Sequence, residues 1–257
     1  MGQQWALILG ASSGFGEAAA RALAAAGHSI LGVHLDRRAT LGHVQEIIGA
    51  IEAEGQAASF HNINAADAEQ RESALDDMVE RLGGAQVRVM LHSLAFGALG
   101  SYVGDGGLKP AQMEMTLRVM AHSLVDWTQA LLRRGLLGDG GRIFAMTSSG
   151  SNRVIPSYGA VSAAKAALEA HCRQLAAELA PRGITVNALR GGVTDTPALR
   201  KIPGHEQLID GAQRRNPSGR LTRPEDVARA LVALASPDTY WMTGNVINVD
   251  GGEEVLV

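Results

Sequence analysis

The sequence predicts an α/β protein in which a single doubly wound parallel sheet carries helices on both faces. Two patterns point to this class. Short apolar runs alternate with longer amphipathic stretches, which is the strand, helix, strand order of parallel sheets. The apolar runs are also continuous, as expected for interior strands that are covered on both sides. With 257 residues, 46% of them hydrophobic, the chain is long enough to bury a full core.

The predicted elements follow one another in a regular order. The first apolar run, WALIL (5–9), predicts a buried strand, and the glycine turn and alanine-rich stretch after it predict a helix at about 15–26. Further short apolar runs predict strands at 29–35, 56–63, 87–94, 141–148, 183–189 and 245–249. The longer stretches between them predict helices near 39–54, 67–82, 110–134, 157–180 and 224–235, the first of which ends at Gly55.

Two irregular stretches, 97–110 and 193–207, interrupt this order. Both follow predicted strands, at the carboxyl edge where open α/β sheets bind ligands, although ordinary surface loops fit the same residues. The mixture of Pro, Gly and apolar residues after Pro197 predicts a mobile lid over a substrate, at about 193–215. Because neither a repeat nor a linker is visible, residues 1–257 are expected to form one domain.

Charge and cysteine content exclude several classes of function. The formal net charge of −3 provides no basic field for nucleic acid or an anionic membrane, and no apolar run approaches the roughly 20 residues that span a bilayer. Cys172 is the single cysteine, and the start MGQQWALILG lacks the basic segment of a signal peptide, so a cytoplasmic location is expected. The eight histidines are scattered without ligand spacing, so no metal site is expected.

A glycine-rich turn, GASSGFG, stands directly after the first strand. Gly10, Gly14 and Gly16 would let the backbone N–H groups approach a pyrophosphate at the positive end of the next helix, which predicts dinucleotide binding. The same letters fit G-x-S-x-G, with Ser12 as a hydrolase nucleophile. That reading is disfavoured because a nucleophile elbow needs strands before it, and here the turn follows the first strand.

Three motifs in this order resemble the short-chain dehydrogenase/reductase family. They are the glycine turn, a serine before a tyrosine–lysine pair in the middle of the chain, and VNAL–GG–T further on, and the resemblance covers essentially the whole chain. It implies a Rossmann-type sheet, a nicotinamide cofactor and a homotetramer. Within the family, IPSYGAVSAAKAALEA and VMLHSLAFG resemble the enoyl-acyl-carrier-protein reductases. GGVTDTPAL and VDGGEEVLV look most like the bacterial enoyl reductase of the type-III branch.

The tyrosine and lysine have an unusual spacing for the family. Most members place them four positions apart, but here Val161 stands at that position, and Tyr158 lies seven residues before Lys165. On one helix the two would share a face, separated along the axis by about 10 Å. Such a displacement suits conjugate reduction of an enoyl thioester, since negative charge then develops on an oxygen remote from the carbon that receives the hydride. Tyr158 would stabilise that enolate, and Lys165 would hold the cofactor ribose.

Two further positions depart from the family pattern. Ser148 stands where many enoyl reductases have a second tyrosine, and also where the usual catalytic serine lies relative to the lysine, so it is predicted to orient the substrate carbonyl. Met120 occupies the position of the usual catalytic asparagine, which weakens a ketone-reductase reading.

The end of the second strand, HLDRR, bears on the choice of nucleotide. Arg37 and Arg38 would pair with the 2′-phosphate of NADPH, whereas Asp36 would suit the 2′-hydroxyl of NADH. NADPH is favoured because the family's acid normally stands at the position of His34, and NADH remains the alternative. The complete predicted cofactor site, partly implied by the resemblance, comprises Gly10, Ser12, Ser13, Gly14, Phe15, Gly16, Arg37, Arg38, Asn62, Ile63, Ser93, Lys165, Gly192, Val193, Thr194 and Thr196.

The predicted function is therefore reduction of an enoyl thioester carried by acyl-carrier protein or coenzyme A. A carbonyl reductase of the same family is one alternative. A non-catalytic dinucleotide sensor is another, and the presence of both Tyr158 and Lys165 argues against it.

Overall fold

The computed structural model describes residues 4–255 of the chain. Its strands are β1 (Gln4–Leu9), β2 (His28–His34), β3 (Ala58–Asn62), β4 (Val87–His92), β5 (Leu137–Thr147), β6 (Thr185–Gly191) and β7 (Val246–Val249). Its α-helices are α1 (Gly14–Ala25), α2 (Leu41–Ala53), α3 (Ala68–Leu82), α4 (Pro110–Leu117), α5 (Ser123–Arg133), α6 (Gly159–Leu179), α7 (His205–Arg215) and α8 (Pro224–Leu234).

The strands form one sheet in the order β3-β2-β1-β4-β5-β6-β7, and every neighbouring pair is parallel. The predicted α/β class is thus confirmed. The order reverses between β1 and β4, so the loops that leave these two strands diverge to opposite faces of the sheet. The crevice at their carboxyl ends is the usual ligand position in such sheets.

The alternation of side chains along each strand divides the core into two layers. In β1, Leu7 and Leu9 belong to the layer that α3, α5 and α6 cover, whereas Ala6 and Ile8 belong to the layer under α1, α2 and α8. All four side chains are fully buried. Coverage of both faces explains why the strands appear as continuous apolar runs in the sequence.

The predicted helix at 110–134 is not continuous. It consists of α4 and α5, joined by a single π-helical segment at Arg118–His122. The hydroxyls of Thr116, Ser123 and Thr128 each donate to the carbonyl four residues earlier, at 2.7–2.8 Å. Such bonds compete with the regular helical pattern and bend helices, and a helical period alone cannot reveal them.

Helix α7 begins within the stretch predicted as irregular, 193–207, and forms the end of the lid predicted at about 193–215. Only Ala212 is buried on it, so its apolar periodicity is too weak to distinguish from a loop. Strand β5 also begins earlier than predicted, because Leu137 pairs with Val87 before the register shifts. None of the helices described between residues 4 and 255 is long and apolar enough to cross a membrane.

Candidate active site

The first loop of the site closes tightly over the end of the sheet. The N–H groups of Gly10 and Ala11 both donate to Val33 O, at 2.8 and 3.0 Å, and Ser93 N donates to Leu9 O at 2.8 Å. A Cβ on Gly10, whose φ is 91°, would lie 2.4 Å from Ser93 O. The glycine turn and the residue after β4 therefore meet at the sheet's crevice, with no space for a side chain between them.

The glycine turn fits a pyrophosphate. A Cβ on Gly16 would lie 1.9 Å from Gly10 O, so the turn can be this tight only with glycine there. Helix α1 starts at Gly14, and its N-cap residue Ser13 makes no side-chain capping bond. The first N–H groups of α1 thus remain available to an anion at the positive helix end. Thr196 lies next to this helix end, since its Cγ2 is 3.4 Å from the Cβ position of Gly14.

Phe15 and Ile63 have packing roles next to this turn. The ring of Phe15 lies against Gly191, where a Cβ would meet Cζ at 2.9 Å, and this contact joins the turn to the end of β6. Ile63 follows β3, and its N–H donates to His34 O at 2.8 Å. Ile63 is partly buried against the core.

Asp36, rather than the arginines, is fixed at the end of β2. Its carboxylate accepts from Thr40 Oγ1 at 2.7 Å and lies 2.9 Å from His34 Nδ1. Burial raises the pKa of Asp36, but hydrogen bonds from Ser12, Thr40 and His34 outweigh it and lower the pKa overall. Asn62 fastens the backbone of Asp36 with two bonds of 2.9 and 3.0 Å. The carboxylate thus stays ionised close to the glycine turn.

Arg37 and Arg38 are both exposed and follow this carboxylate directly. Neither guanidinium makes an ion pair within the part of the chain that the structure describes. Their charges are consequently available to an anionic ligand. The side-chain amide of Asn62, a member of the predicted cofactor site, bonds to the backbone of Asp36, which sequence patterns did not indicate.

The sequence predicted that Tyr158 and Lys165 lie on one continuous helix, and the structure corrects this. Tyr158 is the N-cap residue of α6, just outside the helix, so the regular helical rise does not give its distance from Lys165. Ser157 before it has a φ of 61°, which turns the chain sharply into the helix. The Tyr158 ring packs on Gly150, where a Cβ would lie 2.9 Å from it. Burial raises the pKa of Tyr158, and a hydrogen bond with Ser148 partly offsets this. The phenol therefore remains a neutral proton donor at physiological pH.

Lys165 is 5% exposed, on the face of α6 that packs against the sheet. Its Nζ donates to Met146 O at 2.7 Å and to Leu94 O at 3.4 Å. Burial lowers the pKa of Lys165 to about 8, although the negative charge of Glu169 opposes the shift. The ammonium is still mostly protonated at neutral pH, and its two carbonyl bonds aim it between the ends of β4 and β5.

The segment after β6 is held by the carboxyl-terminal part of the chain. The N–H of Val193, a member of the predicted cofactor site, donates to Glu253 Oε2 at 3.0 Å. Gly192 is required there, since a Cβ would lie 2.7 Å from the same oxygen. Thr194 is buried, and its hydroxyl donates to Gly192 O at 2.9 Å. Glu253, which is 3% exposed, was not identified from the sequence.

The loop after β4 packs against the start of α6. Gly100 N donates to Ser157 O at 2.8 Å, and Leu108 N closes the loop on Ser101 O at 2.9 Å. The Tyr102 ring covers Gly159, where a Cβ would lie 2.6 Å from its Cζ. The loop therefore contacts the two residues that flank Tyr158, Ser157 and Gly159.

Met120 stands where the family usually has an asparagine, and it is 2% exposed within a small apolar cluster with Val161 and Ala164. Its sulfur lies near Gly97, at 2.8 Å from that residue's Cβ position. An apolar group therefore fills this side of the site. No group of three or more potential metal ligands occurs within residues 4–255.

Comparison with known proteins places this site in context. A sequence profile described as Enoyl-(acyl carrier protein) reductase matches residues 10–254. The 1-cyclohexenylcarbonyl-CoA reductase of Streptomyces collinus is 28% identical over 99% of this chain and 88% of its own length. The L-2,3-butanediol dehydrogenase of Corynebacterium glutamicum is 30% identical over 96% of this chain and 97% of its own.

One solved structure is similar over nearly the whole length. A short-chain dehydrogenase from Burkholderia cenocepacia J2315, in complex with NADP, superposes with a TM-score of 0.86 and 28% identity over 98% of both chains. The relatives thus include a reductase of an unsaturated thioester and a dehydrogenase of an alcohol.

Proposed function

This chain belongs to the short-chain dehydrogenase/reductase family and is similar to its enoyl-acyl-carrier-protein reductases, and on that premise we propose that it reduces the carbon–carbon double bond of an enoyl thioester. The supporting observation is the position of Tyr158. It caps helix α6, seven residues before Lys165, and its phenol is bonded to Ser148. This geometry separates the proton donor from the cation that would hold the nucleotide.

Each residue has a distinct part in the proposed reaction. A reduced nicotinamide nucleotide, when bound, supplies the hydride. Tyr158 donates a hydrogen bond to the thioester oxygen as electrons from the double bond move onto it, and Ser148 orients the same oxygen. Lys165 holds the ribose and, through its charge, strengthens the phenol as a donor. With the hydride on the β-carbon, a proton from solvent water adds to the α-carbon of the enolate, which completes the saturated thioester.

The glycine turn is the proposed pyrophosphate site. Thr194 and Thr196, from the segment after β6, are proposed to contact the same pyrophosphate. Arg37 and Arg38 are proposed to pair with the 2′-phosphate of NADPH, because both charges lack ion-pair partners among residues 4–255. Asp36 opposes this preference, since a carboxylate repels that phosphate and accepts a bond from the 2′-hydroxyl of NADH. Its bonds to Thr40 and His34 already occupy part of its capacity as an acceptor.

Nucleotide choice can be measured directly. We expect kcat/KM to be higher with NADPH, and Arg37→Ala and Arg38→Ala each to lower it by roughly 10- to 100-fold, the range of a bond between charged groups. The same variants should leave kcat/KM with NADH nearly unchanged. Asp36→Ala serves as the opposite control and should raise the NADPH value. A clear preference of the wild type for NADH would refute this role for the arginines.

The reaction class is tested with two thioesters. We expect turnover of a crotonyl thioester, linked to coenzyme A or to acyl-carrier protein, and little turnover of the acetoacetyl analogue. Turnover of the ketone alone would establish a carbonyl reductase instead. The Ser148–Tyr158 hydrogen bond favours this second candidate, because the pair could bind a ketone oxygen. Nucleotide binding without turnover of either compound would indicate a dinucleotide sensor.

A further inference from the structure

A buried polar network involves residues next to Ser148 and Lys165 in the chain, and the proposed reaction does not use it. Nη2 of Arg190, a residue near the end of β6, lies 3.1 Å from both Ser151 Oγ and Glu169 Oε1. The same Glu169 oxygen accepts a bond of 2.7 Å from Thr147 Oγ1. Thr147 and Arg190 are register partners in β5 and β6.

The network joins three elements that each carry part of the site. Thr147 immediately precedes Ser148, and Glu169 follows Lys165 by one turn of α6. Arg190 precedes the segment 191–194. Lys165 is bonded to the carbonyl of Met146, and Glu169 to the hydroxyl of the next residue. Successive turns of α6 are therefore fastened to successive residues of β5, and Arg190 fastens β6 to the same point.

This arrangement is a poor source of stability but a good source of fixed geometry. The side chains of Arg190 and Glu169 are only 10% and 12% exposed, so both have lost most of their hydration. Buried ion pairs generally stabilise no better than apolar residues of the same volume, because desolvation offsets their attraction. A hydrogen-bonded pair does, however, allow only a narrow set of distances and angles.

We infer that Arg190 and Glu169 are positioning residues, which fix the segment after β6 relative to the helix that carries Lys165. This inference rests on the proposed function only in requiring that a nucleotide bind between these two elements. It applies equally to reduction of a double bond or of a ketone.

Loss of the network should change the geometry of hydride transfer. A misplacement of about 1 Å can lower turnover by about 100-fold. We expect Arg190→Gln to lower kcat by roughly 10- to 100-fold, with little change in the dissociation constant of the reduced nucleotide. The primary deuterium isotope effect with nucleotide deuterated at the transferred position should increase, because hydride transfer becomes slower than the other steps.

The experiment compares Arg190→Gln and Glu169→Gln with the double variant and with Arg182→Gln. The control removes an exposed 2.8 Å ion pair to Asp139 near the opposite end of β5 and should behave as wild type. The two single variants and the double variant should have similar kcat values, because either change breaks the same pair. Arg190→Lys should recover only part of the activity, since one ammonium cannot reproduce the guanidinium fork. Circular dichroism measures the folded fraction of each variant.

A merely structural role gives a different result. It lowers kcat in proportion to the folded fraction and leaves the isotope effect at its wild-type value, and that outcome would overturn the inference. If Arg190→Gln does not fold, two milder variants replace it. Thr147→Val removes the hydroxyl that bonds to Glu169, and Ser151→Ala removes the hydroxyl that bonds to Arg190. An unchanged isotope effect in both variants would also overturn the inference. Whichever thioester the wild type reduces serves as substrate. If the wild type reduces neither thioester, the inference still requires a change in the bound nucleotide. Arg190→Gln should then shift the fluorescence emission of the bound reduced nicotinamide, because the ring lies in a different position.

Discussion

At the scale of single residues, burial acts on the two candidate catalytic side chains in complementary ways. It raises the pKa of Tyr158, so the phenol keeps its proton, and it lowers the pKa of Lys165 to about 8. At neutral pH the site therefore contains a neutral proton donor, Tyr158, and a separate cation, Lys165, whose pKa is close to that pH. Complete burial on β4, reinforced by the positive charge of Lys165, lowers the pKa of His92 to about 3, so this histidine contributes no charge.

Removal of the phenol should affect chemistry more than binding. Tyr158→Phe keeps the ring against Gly150 but deletes the donor. We expect kcat to fall by about 100- to 1000-fold, as for loss of one oxyanion donor, while nucleotide affinity stays near the wild-type value. Stopped-flow turnover and fluorescence titration provide the two measurements. A kcat within a few-fold of wild type would exclude Tyr158 from the reaction.

The protonation of Lys165 should limit nucleotide capture at high pH. Below a pH of about 8 the ammonium is present, and above it the charge is lost, so kcat/KM for the nucleotide should decrease with an apparent pKa of about 8. The neighbouring Tyr158 and Cys172 do not account for this decrease in kcat/KM at high pH, referred to as the alkaline limb. Burial raises the pKa of Tyr158 and raises that of Cys172 to about 12. Lys165→Arg should remove the limb. Persistence of the limb in that variant would assign it to another group.

At the scale of elements, the site depends on how a loop packs against a helix. The loop after β4 reaches α6 through the Gly100–Ser157 bond and through Tyr102, whose ring covers Gly159. Since Tyr158 lies between these two contacts, the position of the loop and the position of the phenol are linked.

A methyl group at residue 159 tests this link. Gly159→Ala would place Cβ 2.6 Å from Tyr102 Cζ and so displace the ring. We expect a lower kcat/KM for the thioester with unchanged nucleotide affinity, and recovery when Tyr102→Ala is added. Gly42→Ala in α2 is the matched control, because its Cβ meets nothing within 4 Å and should stabilise the fold by about 0.5–1 kcal/mol. Failure of the second substitution to restore activity would exclude a steric cause.

The sequence was informative where one element determines the structure. The parallel α/β class and the family resemblance follow from local patterns, and the sheet and the profile match confirm them. The Arg190 network and the contact of Glu253 with Val193 depend on residues 21 and 60 positions apart, which no local period encodes. A charged residue inside the apolar strand β6 was the only available signal for Arg190.

At the scale of the whole molecule, one aromatic surface stands out beside the last strand. Tyr240, Trp241 and Met242 are 63%, 86% and 39% exposed, and β7, which follows them, lies at the edge of the sheet. Apolar clusters and open strand edges are features that assembly covers.

We expect this surface to be buried in the homotetramer that the family resemblance implies. Sedimentation equilibrium should give four times the mass of 26.9 kDa. Acrylamide should quench tryptophan fluorescence weakly, because Trp5 and Trp127 are buried in each chain and assembly would cover Trp241. Trp241→Ser should yield smaller species. A monomeric wild type, with one readily quenched tryptophan, would contradict the expected assembly.

The self-closed loop at residues 101–108 has a consequence for engineering. Its ends are joined by the Ser101–Leu108 bond, and the residues between them include the half-exposed Tyr102 and the strongly exposed Val103. Libraries confined to this loop should leave Tyr102 unchanged, because its contact with Gly159 links the loop to the phenol of Tyr158.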